Sequence, residues 1–298
     1  MLIHVDERNL PAAWRILEAL TSSCILLGHD VSRWNKDVHN GFGRCDLAIL
    51  WSSPHPNYKP ALDRIRAENI PALYIQFGWS PKNCTFQVDT RATNGLASWV
   101  DEPLPESDGG TVEVPEGPLL VAMQGGMYMK SPEFSPWFGY TEDFAAHMIQ
   151  HAQCDLRLRF RPLDNINPTI KEQARRRTDI RIGFDTTPDF KQSMRECCGV
   201  ATVHSTCGME ALEEGLPVLC YGKAPYRHDG AVWCMDSSPL KTWCRTAQLA
   251  AGHCNLTLGK QRAVLQRLYD RQWVVQDLPH RLAVKIEEAV DAARSRAG

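Results

Sequence analysis

The stretch Val200–Gly222, VATVHSTCGMEALEEGLPVLCYG, decides the fold. An apolar run ends at His204, Ser205 and Thr206 make a polar turn, and the pattern from about Cys207 to Glu214 is helical. Gly215 and Pro217 stop that helix before the next apolar run. Strand, turn, helix and strand in this order form the repeating unit of a parallel sheet covered by helices. A helix that starts at the carboxyl end of a strand offers unpaired N–H groups and the positive end of its dipole, which suit a phosphate. The hydroxyls of Ser205 and Thr206 have two open readings, as further phosphate donors or as the N-cap of the helix. A capping box would place its acid at Gly208 or Met209, so Glu210 lies too far in for that role. Glu210 is either the acceptor of two hydrogen bonds from a ribose diol or a glutamate facing solvent.

The same rhythm extends outward in both directions. Toward the N-terminus it reads LIHV (2–5), PAAWRILEAL (11–20), CDLAILW (45–51), YKPALDRIRAEN (58–69) and IPALYIQFG (70–78). EPLPESDGGTVEVPEGP (102–118) gathers Pro, Gly and acids without apolar periodicity and reads as a linker. Beyond it come PLLVAMQ (118–124), TEDFAAHMIQHA (141–152), CDLRLRFRP (154–162), PTIKEQARRR (168–177) and DIRIGFD (179–185). The last forty residues are helical by period, either capping the second lobe or crossing back to the first. The predicted fold class is therefore α/β, with an N-terminal lobe over 1–101, a linker over 102–118, a second lobe over 119–265 and C-terminal helices over 266–298. In open α/β sheets ligands bind beyond the carboxyl ends of the strands, so candidate residues are sought there.

Composition excludes several classes. The chain has 298 residues, 43% hydrophobic, with 23% charged residues and a net charge of −2, which suits two ordinary lobes and argues against a polyanion such as nucleic acid as partner. MLIHVDERNL lacks the basic start and apolar run of a secretory signal, and no stretch nears the roughly 18 apolar residues of a membrane span. Eleven cysteines without a regular framework read as free thiols of a reducing compartment, and the expected location is the cytoplasm. Cys197 and Cys198 are adjacent and lack zinc-knuckle spacing. GFGRCD (41–46) lacks the third glycine of a dinucleotide fingerprint. There is no Walker motif and no Asp-x-Asp pair, so neither a metal nor a cofactor is expected. His147 and His151 stand at i, i+4 without the glutamate of an H-E-x-x-H motif and read as one helix face. Ser205 has no nucleophile elbow, which leaves a hydrolase triad unsupported.

Within CDLRLRFRP, the period of two puts Arg157, Arg159 and Arg161 on one face and Leu156, Leu158 and Phe160 on the other. A basic face inside a covered sheet is costly unless its charges meet anions, whereas on an edge strand they would be solvated. Arg161, at the strand's end before Pro162, is best placed for a ligand phosphate or carboxylate, which guanidinium binds in a bidentate manner.

HSTCGMEALEEGLPVLCYGKAPY resembles the nucleotide-sugar segment of the capsule-polysaccharide biosynthesis family, which includes Kdo transferases and has the two-lobed GT-B fold. The matching positions are Ser205, Thr206, Glu210, Pro217, Val218, Gly222 and Tyr226. PLLVAMQ resembles the strand opening that family's second lobe, with Gln124 at its terminal glutamine, and CDLRLRFRP occupies the place of a Lys-Pro-His-Pro-like motif, with Arg159 and Arg161 at its basic positions. YIQFGWSPKNCTFQVDTRATNGLASW (74–99) resembles the acceptor-side signature of the first lobe. The resemblance implies two Rossmann-like lobes facing across a cleft and a metal-independent glycosyltransferase. It implies transfer of a sugar, Kdo or a related acidic sugar from a CMP-linked donor, to a saccharide or glycolipid acceptor. Ser205 and Thr206 would meet phosphate, Glu210 the ribose, Arg159 and Arg161 the phosphate or sugar carboxylate, and Gln124 the cleft floor. Where the family carries a glutamate this chain has Gln76, which cannot act as a base at neutral pH. Asp89 is the nearest acid in the pattern and the candidate for catalysis, against the alternative of a turn aspartate bonded to its own backbone. Competing readings are a nucleotide-sugar epimerase, a non-catalytic sugar-binding partner in polysaccharide assembly, and a phage-type glycosyltransferase acting on modified DNA.

Overall fold

The computed structural model describes residues 1–6, 11–34, 45–51, 59–79, 85–107, 109–125, 129–161 and 164–297. Gly41–Arg44 of the GFGRCD stretch and Pro162 lie outside them. The chain divides into two compact units, Met1–Asp101 with Leu268–Gly298, and Glu102–Arg267.

The first unit is built on a six-stranded sheet. Strands β1 (Leu2–Asp6), β2 (Asp30–Trp34), β3 (Leu47–Trp51) and β4 (Ala72–Phe77) run parallel in the order β4-β3-β1-β2. β5 (Phe86–Asp89) adds antiparallel to β4. All five residues of β3, LAILW, are buried, as expected of a parallel strand covered on both faces. Helices α1 (Pro11–Leu26) and α2 (Lys59–Ala67) supply crossovers.

The second sheet is parallel throughout, in the order β11-β10-β9-β6-β7-β8. Its strands are β6 (Leu119–Ala122), β7 (Leu156–Arg159), β8 (Ile182–Phe184), β9 (Gly199–Thr202), β10 (Val218–Cys220) and β11 (Trp233–Cys234). Between them lie α3 (Thr141–His151), α4 (Pro168–Arg176), α5 (Phe190–Arg195) and α6 (Thr206–Glu213), followed by α7 (Pro239–Ala250) and α8 (Leu258–Asp270). Local chemistry sets several ends. Asn167 caps α4 by accepting from the amide of Thr169, with Pro168 at the first helical position where no donor is needed. Gly215, at φ +72, takes the left-handed conformation that closes α6, and Leu216 and Pro217 lead directly into β10. The segment 102–118 belongs to this unit, and Val112 packs in its core.

The C-terminal residues return to the first unit. β12 (Gln272–Trp273) pairs antiparallel to β5 and completes the first sheet. Helix α9 (Leu278–Ala297) buries Leu278, Leu282, Ile286, Ala289 and Ala293 at helical spacing, and the first four join the core of α1, β1 and β3. Burial of each large side chain among them contributes about 1.5–3 kcal/mol. Among the described residues no helix is long and apolar enough to cross a membrane.

Candidate functional site

The strands β6, β7, β9 and β10 are parallel, so the residues that follow them share one end of the second sheet. Gln124 follows β6, Arg161 follows β7, and Ser205 follows β9 at the start of α6. Gln124 and Ser205 are linked through His204. The Gln124 amide nitrogen lies 3.0 Å from His204 Nδ1, and Gln124 Oε1 accepts from the His204 amide at 3.2 Å. Thr141 at the start of α3 donates its hydroxyl to the Gln124 carbonyl at 2.6 Å. Gln124 is thus a rigid node joining two strand ends and a helix.

Ser205 is the N-cap of α6, its Oγ accepting from the Cys207 amide at 3.3 Å. This N-cap role satisfies one orphan donor and leaves the hydroxyl proton available to a ligand. Tyr226, 1% exposed, reaches back from the loop after β10 and donates its phenol to the Ser205 carbonyl at 2.5 Å. Burial pushes that phenol well above its ordinary value, so it remains a donor. Its ring lies against the first turn of α6 at Gly208, where a β-carbon would come within 2.4 Å of the phenol oxygen. The spacing Gly222-x-x-x-Tyr226 marks this tyrosine in sequence, but only the fold shows that it braces the helix start. Gly208→Ala is expected to push Tyr226 off Ser205, lower the melting temperature by several degrees and weaken any ligand held at the α6 N-terminus, as read by thermal shift. Glu210 sits in α6 and is partly exposed.

The three arginines have different outcomes. β7 is an interior strand, so the edge-strand reading does not apply. Arg157 pairs with Glu196 at 2.8 Å. Arg159 is committed inside the protein: its Nη1 donates to Asp185 Oδ2 (2.6 Å), the Thr187 carbonyl (2.6 Å) and Ser193 Oγ (3.0 Å), with its guanidinium over the Phe190 ring at 5.5 Å. Its side chain is 13% exposed and that of Asp185 only 2%. The anion that the basic face meets here is a protein carboxylate, and Arg159, the candidate for a ligand phosphate or carboxylate, ties β7 to the loop after β8. Arg161 differs, with a side chain 59% exposed. It forms a bidentate pair with Asp164 through Nε (3.1 Å) and Nη2 (2.8 Å), while its guanidinium lies over Gly125 beside Gln124. It keeps an exposed cation at the end of β6 and β7.

In the first unit, Asp89 ends β5 and is 2% exposed. Its Oδ1 accepts from the amides of Arg91 (2.8 Å), Ala92 (3.1 Å) and Ser98 (3.1 Å), and its Oδ2 from the Ser98 hydroxyl (2.6 Å). A buried carboxylate bonded to these donors organises its turn, and Asp89, the candidate catalytic acid, is here the hub of the 89–98 loop. Gln76, in β4, has its Oε1 buried with no hydrogen-bond partner among the described residues. His147 bonds through Nε2 to Thr242 Oγ1 at 2.8 Å, and Thr242 in turn meets Tyr221 at 2.9 Å. Desolvation, reinforced by His151, lowers His147 to about 4, so it is neutral in this network.

Residues 172–260, which include the braced α6, match the family model of the capsule polysaccharide biosynthesis proteins. No curated protein matches the chain by sequence. Among solved structures the chain is similar to the beta Kdo 2,7 transferase of Thermosulfurimonas dismutans KpsC. Identity is 12%, over 95% of this chain and 99% of that one, with a TM-score of 0.55. It is also similar to the beta Kdo 2,4 transferase of KpsC from the same organism, at 12% identity over 97% of this chain and 98% of that one, with a TM-score of 0.50. At these identities the likeness establishes the fold, two α/β lobes of GT-B type.

Proposed function

We propose that this chain, whose residues 172–260 carry the capsule polysaccharide biosynthesis signature on a GT-B fold, transfers a sugar from a nucleotide-activated donor to a saccharide acceptor. The observation that carries the reading is the start of α6. A helix N-terminus stands at the carboxyl end of β9, capped by Ser205 and braced by Tyr226, with Gln124 and the exposed Arg161 on neighbouring strand ends. The helix dipole, the Ser205 and Thr206 hydroxyls and the Arg161 guanidinium together supply donors for a diphosphate or for the phosphate and carboxylate of a CMP-linked acidic sugar such as Kdo. Fixed donors of this kind stabilise a departing phosphate because they need no reorganisation as charge develops. Glu210, further along α6, would accept the ribose hydroxyls. The acceptor would be a saccharide or glycolipid.

Thermal shift with CMP, UDP, GDP and dTDP tests the donor site, because a nucleotide that binds only the folded state raises the melting temperature by mass action. One of the four is expected to stabilise the protein, and Glu210→Ala is expected to weaken that nucleotide by about ten- to a hundredfold with the fold intact. Unchanged affinity in Glu210→Ala by calorimetry removes the ribose assignment. Stabilisation by none of the four removes the donor site. Product analysis without acceptor separates transfer from epimerisation.

A further inference from the structure

The stretch 131–141 is stitched to three strand ends of the second sheet. Thr141 donates to the Gln124 carbonyl after β6 at 2.6 Å, the Phe134 ring lies 5.3 Å from that of His204 after β9, and the Lys223 amide after β10 donates to the Phe134 carbonyl at 2.9 Å. Residues 131–138 are also tied to one another. Phe134 and Ser135 both donate their amides to the Ser131 carbonyl, Ser135 Oγ donates to the Phe138 carbonyl at 2.5 Å, and Phe138 is buried against Phe144 and Tyr221. On this fixed support Trp137 and Tyr140 are held out to solvent, 47% and 57% exposed. The Lys130 ammonium sits 5.7 Å from the centre of the Tyr140 ring.

A large aromatic left in water forfeits burial energy, and a loop that holds two of them outward has already met the entropic cost of ordering them. Two rings on one short loop do not amount to the roughly 1,000 Å² of a specific protein interface. Glu133, Glu142 and Asp143 flank them, so the acids outnumber Lys130 and disfavour an anionic lipid surface. A pyranose fits better, since its axial C–H face is flat, apolar and about the size of one indole ring, while its hydroxyls stay in water or reach the flanking acids.

We propose that Trp137 and Tyr140 form a stacking shelf for a pyranose ring at the rim of the Gln124–Ser205 site, an inference that rests on the donor-site reading above. Trp137 supplies the flat face, and Tyr140, three residues on with the Lys130 ammonium near its ring, adds a second exposed aromatic. The shelf selects saccharide by shape and adds no chemistry to the transfer.

Saturation-transfer NMR with free Kdo, galactose, N-acetylglucosamine and N-acetylgalactosamine tests it, on the wild type and on Trp137→Leu and Trp137→Phe. Leucine keeps apolar bulk without a flat face, and both variants are expected to retain the wild-type melting temperature because the side chain is half exposed. The expected result is ring-proton signal from at least one pyranose in the wild type, about tenfold weaker binding in Trp137→Leu and most of the binding kept in Trp137→Phe. Loss of signal on adding the stabilising nucleotide sugar assigns the shelf to the donor's sugar, and persistence assigns it to the acceptor; both support it. Absence of signal from all four sugars in the wild type, or full binding in Trp137→Leu, overturns it. Sedimentation with phosphatidylglycerol vesicles that is lost in Trp137→Leu while sugar binding is kept overturns it in favour of lipid. Nucleotide stabilisation is measured in parallel, so a failed shelf with intact nucleotide binding leaves the donor site standing, and failed nucleotide binding is seen separately.

Discussion

Replacing Asp89 by alanine is expected to lower the stability of the first lobe by about 3–5 kcal/mol. The carboxylate is buried and accepts from the amides of Arg91, Ala92 and Ser98 and from the Ser98 hydroxyl. Alanine leaves these donors facing a small void, and each buried donor without a partner costs about 1–3 kcal/mol. Asp89→Asn keeps the volume but turns an NH2 toward groups that also donate, so it is expected to destabilise as well, by less. Urea unfolding followed by tryptophan fluorescence reads both. A structural hub predicts a lower midpoint in step with any loss of transfer. An unchanged midpoint together with abolished transfer would return Asp89 to catalysis.

Asp185→Ala is expected to cost about 3–5 kcal/mol in the second lobe, because it strands the Arg159 charge in a site where that side chain is 13% exposed. Removing both charges in Arg159→Met/Asp185→Leu is expected to be milder than Asp185→Ala alone, since a buried pair replaced by apolar side chains leaves no uncompensated ion. A double variant less stable than Asp185→Ala would refute this. The pair also sets a pH dependence. Burial alone would raise the Asp185 carboxyl, but hydrogen bonds from Ser193, from the Thr187 amide and from Arg159 outweigh it and hold the carboxyl at about 2, below its ordinary 3.8. A depressed carboxyl contributes stability that is full above the unfolded value and is lost as pH falls from about 4 through about 2. The contribution is about 2 kcal/mol. Acid titration of the wild type against Asp185→Asn is expected to show this loss only in the wild type.

Most of the fold is legible in the chain because its signals are local. The fully buried LAILW of β3, the Asn167-Pro168 cap of α4 and the Gly215 stop of α6 each follow from a period or a backbone preference within a few residues. The start of α6 at Ser205 and Thr206 is local in the same sense, so the sequence by itself determined where the candidate donor site would lie and which hydroxyls stand there. Partners are a different matter. Alternation places Arg157, Arg159 and Arg161 on one face but does not say which anion each will meet. Arg159 found Asp185 26 residues on because β8 lies beside β7, while Arg161 stayed half exposed beside Asp164. Asp89 reads either as an acid or as a turn residue until Ser98 folds back onto it. Tyr226 becomes the brace of Ser205 only once β10 sets its loop beside the start of α6. The last helix carries an apolar stripe that would suit either sheet, and the pairing of β12 with β5 commits it to the first. Local propensity determines elements and their faces. The contacts between residues far apart in the chain depend on strand order and crossovers, and those only the tertiary structure decided.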